Sequence, residues 1–357
     1  MTDPSTEPRK LRVGVIGSGA FAEAGHVPGL QSHPLAEVVA LCGHRTKRTR
    51  TLAQRFNIPS IHTDYRELCA RDDIDAVTIV TLNTEHAVQA VAALGLGKHV
   101  FCEKPLAVTV EDARKMVRAA DASDKVHQLG FTYRYLYGVR ELRRRLEEGD
   151  IGAPYYLRAQ YDSWQGMRRD FEAEFRDKRY EAGGMLYDVG SHLFDLARFV
   201  LGPIAKVSGF TKLIPRRCLD RQLGEPVAVE TDDIAGAWFV YRNGVHGQWF
   251  ASRATPSSVH KAYLEVVGEE GALRASLSRG ADDVLSISRP SQPAWQELPL
   301  PKQAYDGKPH CLPLMMRSFV EACRRGQLDD EVDASFHDGL AAQLGLAAVT
   351  KAGKHLI

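Results

Sequence analysis

Three groups of residues in this chain have types and spacings suited to chemistry. The first is Glu103-Lys104-Pro105, which ends the apolar run at 98–102. Pro105 restricts Lys104 to extended backbone and stops the strand, so a cation is held at a strand's carboxyl end, the edge where open α/β sheets bind ligands. The second group is Asp188, His192 and Asp195. The pattern predicts a helix over 185–201, in which these residues share a face beside the apolar stripe of Leu186, Val189, Leu193, Leu196 and Val200. A half-buried histidine between two carboxylates suits proton transfer, because its ordinary pKa of about 6.5 is easily tuned by neighbours. The same side chains offer oxygen and nitrogen to a divalent ion, but no second histidine or cysteine stands at matching spacing, so no metal is assigned.

The third group is the loop Gly17-Ser18-Gly19-Ala20-Phe21-Ala22. It fits Gly-x-Gly-x-x-Gly/Ala, where the first glycine makes a tight turn, the second admits a pyrophosphate, and the small sixth residue packs helix on strand. Between a first strand and a first helix, this pattern signals a dinucleotide. Glu37 stands about 20 residues on, where a ribose-binding acid is often found, but at the entry to the second strand. The exit reads Gly43-His44-Arg45-Thr46-Lys47-Arg48 and carries cations instead of a carboxylate. Those cations lean towards the extra phosphate of NADP, with NAD left open.

These groups need elements to position them. A strand at 11–16 leads into the glycine loop and a helix over 20–31. Then come a strand at 38–42, a basic helix over 46–56, a strand at 75–80, a helix over 85–94 closing with Gly95 and Gly97, the strand entering Glu103, a helix over 110–122 and a strand at 126–130. Helices between successive strands require parallel pairing through right-handed crossovers, so residues 1–130 read as a doubly wound dinucleotide-binding domain. Beyond 130, strand-like runs succeed one another at 155–161, 206–213, 233–241, 244–252, 262–268 and 284–288. Residues 131–357 are therefore read as an α+β domain that binds substrate, its open sheet predominantly antiparallel with helices on one face. The bare face predicts a homo-oligomer, dimer or tetramer, through that sheet. The stretch 289–309 reads as a surface excursion.

The 357 residues carry 46 basic and 45 acidic side chains, a balance of +1 that argues against a nucleic-acid or membrane partner and for a small molecule. A polar amino terminus and the lack of any apolar run of membrane-spanning length predict a cytoplasmic protein. Six scattered cysteines without a Cys-x-x-Cys indicate neither a disulfide framework nor a zinc site.

Over nearly its whole length the chain resembles the Gfo/Idh/MocA family of NAD(P)-dependent oxidoreductases, which includes inositol and sugar dehydrogenases. The resemblance rests on the glycine loop with His26 beyond it, on Asp75-Ala76-Val77 leading to Thr81-Leu82-Asn83-Thr84-Glu85-His86, and on Gly97-Lys98-His99-Val100 entering Glu103-Lys104-Pro105-Leu106. It continues through Tyr133-Arg134-Tyr135 and from Gly183-Gly184 through Asp188-Val189-Gly190-Ser191-His192 to Asp195. The chain departs from the family pattern at Leu82, where proline is usual, at His44, where NAD users often have aspartate, and at Leu136-Tyr137, where proline often follows. The resemblance implies an N-terminal Rossmann sheet that binds the dinucleotide through Gly17, Ser18, Gly19, Ala20, Phe21, His44, Arg45, Thr81, Asn83, His86, Glu103 and Lys104. It further implies that Lys104, Asp188 and His192 meet at the nicotinamide, with Arg134 and Trp164 on the substrate side. The expected reaction is reversible oxidation of a secondary alcohol on a sugar, amino sugar or cyclitol. His192 is the base, Lys104 holds the alkoxide and Asp188 binds a neighbouring hydroxyl. The insert 162–180, with Trp164 and several acids and arginines, has two readings, an exposed charged loop or a segment that stacks on a sugar face and selects it. A cycling-cofactor glycosidase or lyase, or a nicotinamide-binding regulator without catalysis, are the alternative readings.

Overall fold

The computed structural model describes residues 9–164, 166, 177, 179–220, 224–256, 261–277, 283–300 and 311–352. The chain divides into two compact units. One runs to Gly130 and includes Cys311–Leu340; the other comprises Phe131–His310 and the chain from Ala341 onward.

In the first unit, strands β1 (Leu11–Ile16), β2 (Ala36–Cys42), β3 (Ser60–His62), β4 (Ala76–Ile79), β5 (His99–Cys102) and β6 (His127–Leu129) form a parallel sheet in the order 6-5-4-1-2-3. Helices α1 (Val27–Gln31), α2 (Thr46–Arg55), α3 (Tyr65–Cys69), α4 (His86–Gly95) and α5 (Val110–Asp121) connect them. A parallel sheet covered on both faces needs apolar residues at successive positions, and all four residues of β4 are buried. β1 pairs with both β2 and β4, so the order reverses where the glycine loop leaves β1. That reversal is the ligand-binding crevice of doubly wound sheets. The helix expected over 20–31 is present, with a π-helical turn at Ala22–His26 inside it, before α1. The short β3 and α3 escape the sequence reading because neither is long enough for a periodicity to show. α4 closes at Leu96, and the left-handed residue beyond it is Gly97 (φ 71°), with Gly95 inside the helix.

The second unit opens with α6 (Tyr137–Glu147) and β7 (Pro154–Asp162), followed by α7 (Met185–Asp188), α8 (Gly190–Leu201) and β8 (Ile204–Lys212). A small hairpin, β9 (Arg217–Asp220) and β10 (Glu225–Ala228), stands apart from the main sheet. Then come β11 (Ile234–Tyr241), β12 (His246–Ser252), β13 (Ala262–Gly268), β14 (Gly271–Ser276), β15 (Leu285–Arg289) and β16 (Gln292–Leu298). The eight-stranded sheet has the order 16-15-14-13-7-12-11-8, antiparallel except where β12 runs parallel to β7. α8 lies against β7, β11 and β12, and α6 against β14 and β15. On the other face, the row Trp238, Gln248, Arg158, Glu265 and Arg274 crosses the sheet, with Trp238 57% exposed. β16 and the end of β15 replace part of the surface excursion expected over 289–309, and 301–309 lies outside the described residues.

Two features correct the sequence reading. Residues assigned wholly to the second domain return to the first: α9 (Cys311–Arg325) packs on α1, where a Cβ at Gly29 would sit 2.8 Å from Met316 Cγ, and Ala334–Ser335 adds an antiparallel edge strand to β6. A final helix, α10 (Phe336–Ala352), begins in the first unit and ends in the second. The helix expected over 185–201 is two helices meeting at Val189. There the Ser191 hydroxyl donates to the Tyr187 carbonyl at 2.6 Å, a back-bond that competes with the helical ladder. All six cysteines are free and buried. Among the described residues, no helix is long and apolar enough to cross a membrane, and no cluster of His, Cys, Asp or Glu could hold a metal ion.

Candidate active site

The glycine loop is built as its turn demands. Gly17 has φ 118°, and a Cβ there would lie 2.3 Å from the Val80 carbonyl oxygen, so only glycine fits. At Gly19 a Cβ would meet nothing within 4 Å, and Gly19 and Ala20 are exposed. Ala22 is fully buried as the packing residue. The Ser18 hydroxyl shares a hydrogen bond with Thr49 at 2.9 Å, and Arg48 Nε donates to the Ser18 carbonyl at 2.6 Å. The turn is thus pinned from α2 while its tip stays open, and the residues present fit a pyrophosphate. His44 and Arg45 are exposed beyond the carboxyl end of β2, whereas Glu37 sits near its amino end.

Lys104 is half-buried between the buried Glu103 and Pro105, directly after β5, and the Lys104–Pro105 peptide is cis. Glu103 and His86, expected on the cofactor, are turned inward. Glu103 is 7% exposed and its Oε1 lies 3.0 Å from His26 Nε2. His86 is fully buried and its Nδ1 donates to the Pro105 carbonyl at 2.9 Å. Burial holds the His86 imidazole below its ordinary value and outweighs the hydrogen bond to the Pro105 carbonyl and the nearby charge of Glu103, both of which act the other way. Asn83 is also buried, and the Thr81 hydroxyl donates to Gln89 at 2.8 Å. Of these, Lys104 and Thr81 keep partial exposure.

In the second unit the three residues read as one face do different work. Asp195 is buried and takes a bidentate ion pair from Arg134, Nε to Oδ2 at 2.9 Å and Nη2 to Oδ1 at 2.6 Å. Arg134 is itself 4% exposed and stacks over Phe199, so it serves the framework in place of the substrate contact expected of it. A guanidinium and a carboxylate that far from water require each other. His192 packs against the Tyr133 and Phe131 rings, centroids 4.6 and 5.8 Å away. Asp188 is half-buried and lines a polar pocket with Tyr161, Ser163, Gly184, Met185, Val189 and Arg253. Trp164 is 44% exposed just beyond Ser163; most of the insert around it lies outside the described residues.

Two features of this unit were not legible in the sequence. Arg253 donates to Asp233, Asp177 and Thr231, a buried network forming one wall of the pocket. Asp232 caps α7: its carbonyl accepts from the Met185 N–H at 3.1 Å and its Oδ2 from the Leu186 N–H at 2.8 Å. Gly184 (φ 89°) allows this approach, since a Cβ there would lie 2.4 Å from Asp232 Oδ1. Burial pushes the Asp232 carboxyl up to about 6. A threonine followed by two aspartates before a strand was the available signal, but nothing local ties it to a helix so far back in the chain.

Comparisons with known proteins agree with this architecture. Residues 11–131 match the model of the Gfo/Idh/MocA oxidoreductase family, NAD-binding Rossmann fold, and residues 139–274 match that of a Gfo/Idh/MocA C-terminal domain. D-glucoside 3-dehydrogenase of Escherichia coli is 30% identical over 243 residues, covering 66% of this chain and 68% of its own length. scyllo-Inositol 2-dehydrogenase (NAD(+)) of Bacillus subtilis is 26% identical over 342 residues, 95% of this chain and 93% of its own. Among solved structures, levoglucosan dehydrogenase in complex with NADH and L-sorbose superposes with a TM-score of 0.89 at 24% identity, covering 97% of both chains, which shows a shared fold.

Proposed function

Because this chain belongs to the Gfo/Idh/MocA family of oxidoreductases, we propose that it oxidises a secondary alcohol of a sugar, amino sugar or cyclitol, reversibly, with a nicotinamide dinucleotide. The observation that carries the substrate class is the lining around Asp188, where Tyr161, Ser163 and Arg253 present polar atoms suited to a ligand rich in hydroxyls. The names of the glucoside and inositol dehydrogenases among its relatives support the same class.

The backbone from Gly17 to Phe21 would hold the pyrophosphate, with His44 and Arg45 at the adenosine end. When bound, the nicotinamide supplies the hydride acceptor. The chain supplies position and proton transfer. His192 takes the hydroxyl proton, its ring orientation set by Tyr133 and Phe131. Lys104, held on a short segment between buried neighbours, steadies the charge that develops on the alcohol oxygen. Asp188 accepts a hydrogen bond from an adjacent hydroxyl and so selects polyols. We further propose NADP as the preferred dinucleotide, because the exit of β2 carries exposed cations in place of a carboxylate. Association of copies through the open face of the eight-stranded sheet completes the proposal, with Trp238, Trp295 and Phe250 among its exposed aromatic residues.

The test is nicotinamide absorbance with NAD+ and NADP+ against a panel of sugars, amino sugars and cyclitols, with Lys104→Ala as control. We expect net reduction with at least one member of the panel and a loss of turnover of about 10²-fold or more in the control, with cofactor binding retained. Full turnover in Lys104→Ala overturns the role of Lys104, and at least tenfold tighter binding of NADH than of NADPH overturns the cofactor preference.

A further inference from the structure

We infer that His26 and His86 are positioning residues that fix the main chain on either side of Lys104 and thereby aim its ammonium group. The inference rests on the role of Lys104 proposed above. Both imidazoles are fully buried, so neither acts by touching a ligand; each spends a ring nitrogen on the segment 103–105.

On the amino side the connection runs through a carboxylate. His26 Nε2 lies 3.0 Å from Glu103 Oε1, and the other oxygen, Oε2, accepts from the backbone N–H of Lys104 at 3.3 Å. The carboxylate cannot swing away, because the backbone of Gly130 closes on it: a Cβ there would lie 2.9 to 3.0 Å from both oxygens. The His26 ring is in turn held edge-on by Phe21 and Phe101, centroids 5.7 and 5.3 Å away. On the carboxyl side, His86 donates from Nδ1 to the Pro105 carbonyl at 2.9 Å. His86 opens α4, and His26 ends the π-helical turn after the glycine loop. The segment is therefore tied to two different connections of the same sheet, one of them continuous with the phosphate loop.

An aliphatic side chain would fill either space and leave the Pro105 carbonyl or the Glu103 carboxylate buried without its partner. The segment would then shift to recover hydrogen bonds, and Lys104 with it. A misplacement of about 1 Å at a reacting group costs up to about 10²-fold in rate.

The experiment compares His26→Leu and His86→Leu with the conservative His26→Gln and His86→Asn, whose amide nitrogens reach toward the places of Nε2 and Nδ1. We expect each leucine variant to lower kcat by about 10- to 100-fold while the dinucleotide dissociation constant stays within about twofold, and each conservative variant to recover most of the loss. A second readout needs neither cofactor nor substrate: hydrogen–deuterium exchange at the Lys104 amide should quicken at least tenfold in His26→Leu and slow again in His26→Gln. If a leucine variant does not fold, the comparison is made with His26→Asn and His86→Ser, side chains too short to reach their partners. Unchanged kcat and unchanged Lys104 exchange in these variants, with Lys104→Ala inactive, overturn this inference and leave the role of Lys104 standing. Full activity in Lys104→Ala overturns that role instead, whatever the histidine variants do.

Discussion

Replacing Asp232 by asparagine should stabilise the protein, and more so as pH rises. Asp232 is half-buried, and the desolvation of its carboxyl outweighs the hydrogen bond from the Leu186 N–H and the nearby charge of Arg253; Asp233 acts in the same direction as desolvation. Raising its pKa from the ordinary 3.8 to about 6 means that the folded state holds this proton more tightly than the unfolded chain. The corresponding stability is present below the unfolded value and lost as pH rises through the folded one, a total of about 3 kcal/mol. Integrating the two titrations, about 1.4 kcal/mol of that loss falls between ~pH 5 and ~pH 8. Asparagine keeps an acceptor oxygen for the Leu186 N–H but never ionises, so the variant does not share the loss. The assay is urea denaturation of both proteins at those two pH values, since every other titrating group is common to both and cancels in the difference. The variant's advantage should grow by about 1.4 kcal/mol from the lower pH to the higher. A difference that does not change with pH would refute the reasoning, because a cap acting by geometry alone has no reason to titrate.

Two further predictions follow from other contacts. Arg134→Met should cost about 3–5 kcal/mol in the same assay, since it strands the buried carboxylate of Asp195; a cost under about 1 kcal/mol would show that water reaches the pair. Light scattering should give a dimer or tetramer whose mass falls towards the monomer's in Trp238→Arg, because Trp238 is the most exposed aromatic residue of the open sheet face. A wild-type monomer at micromolar concentration would exclude association through that face.

What could be read from the sequence was what is locally determined. The glycine loop was legible because one turn and one close approach dictate Gly17, and the strand end at Lys104 because Pro105 marks it. Covered parallel strands such as β4 betray themselves by a nearly continuous apolar run, here Ala76, Val77 and Ile79 interrupted only by the buried Thr78. What escaped depends on partners distant in sequence. Asp195 has the spacing of an acid/base neighbour of His192, yet its partner, Arg134, lies 61 residues away. Glu103 and His86 look like ligand-facing polar residues in any motif; only the tertiary structure shows them turned towards His26 and Pro105. The break at Val189 was hidden for another reason, since a serine hydroxyl bonding back along a helix leaves no mark in periodicity.

The return of 311–340 to the first unit bears on how this protein is made. Six strands of the parallel sheet are complete by Leu129, but its edge strand Ala334–Ser335 and the helix that lies on Gly29 come from near the far end of the chain. At about 5–20 residues per second, a ribosome needs roughly 10–40 s to deliver them. Throughout that interval the β6 edge and the apolar surface of α1 await their cover, open to pairing with other nascent chains. Most of the nucleotide-binding unit is thus synthesised before residues 131–310 and finished only after them, and it cannot be cut out as one continuous fragment without losing part of its own core.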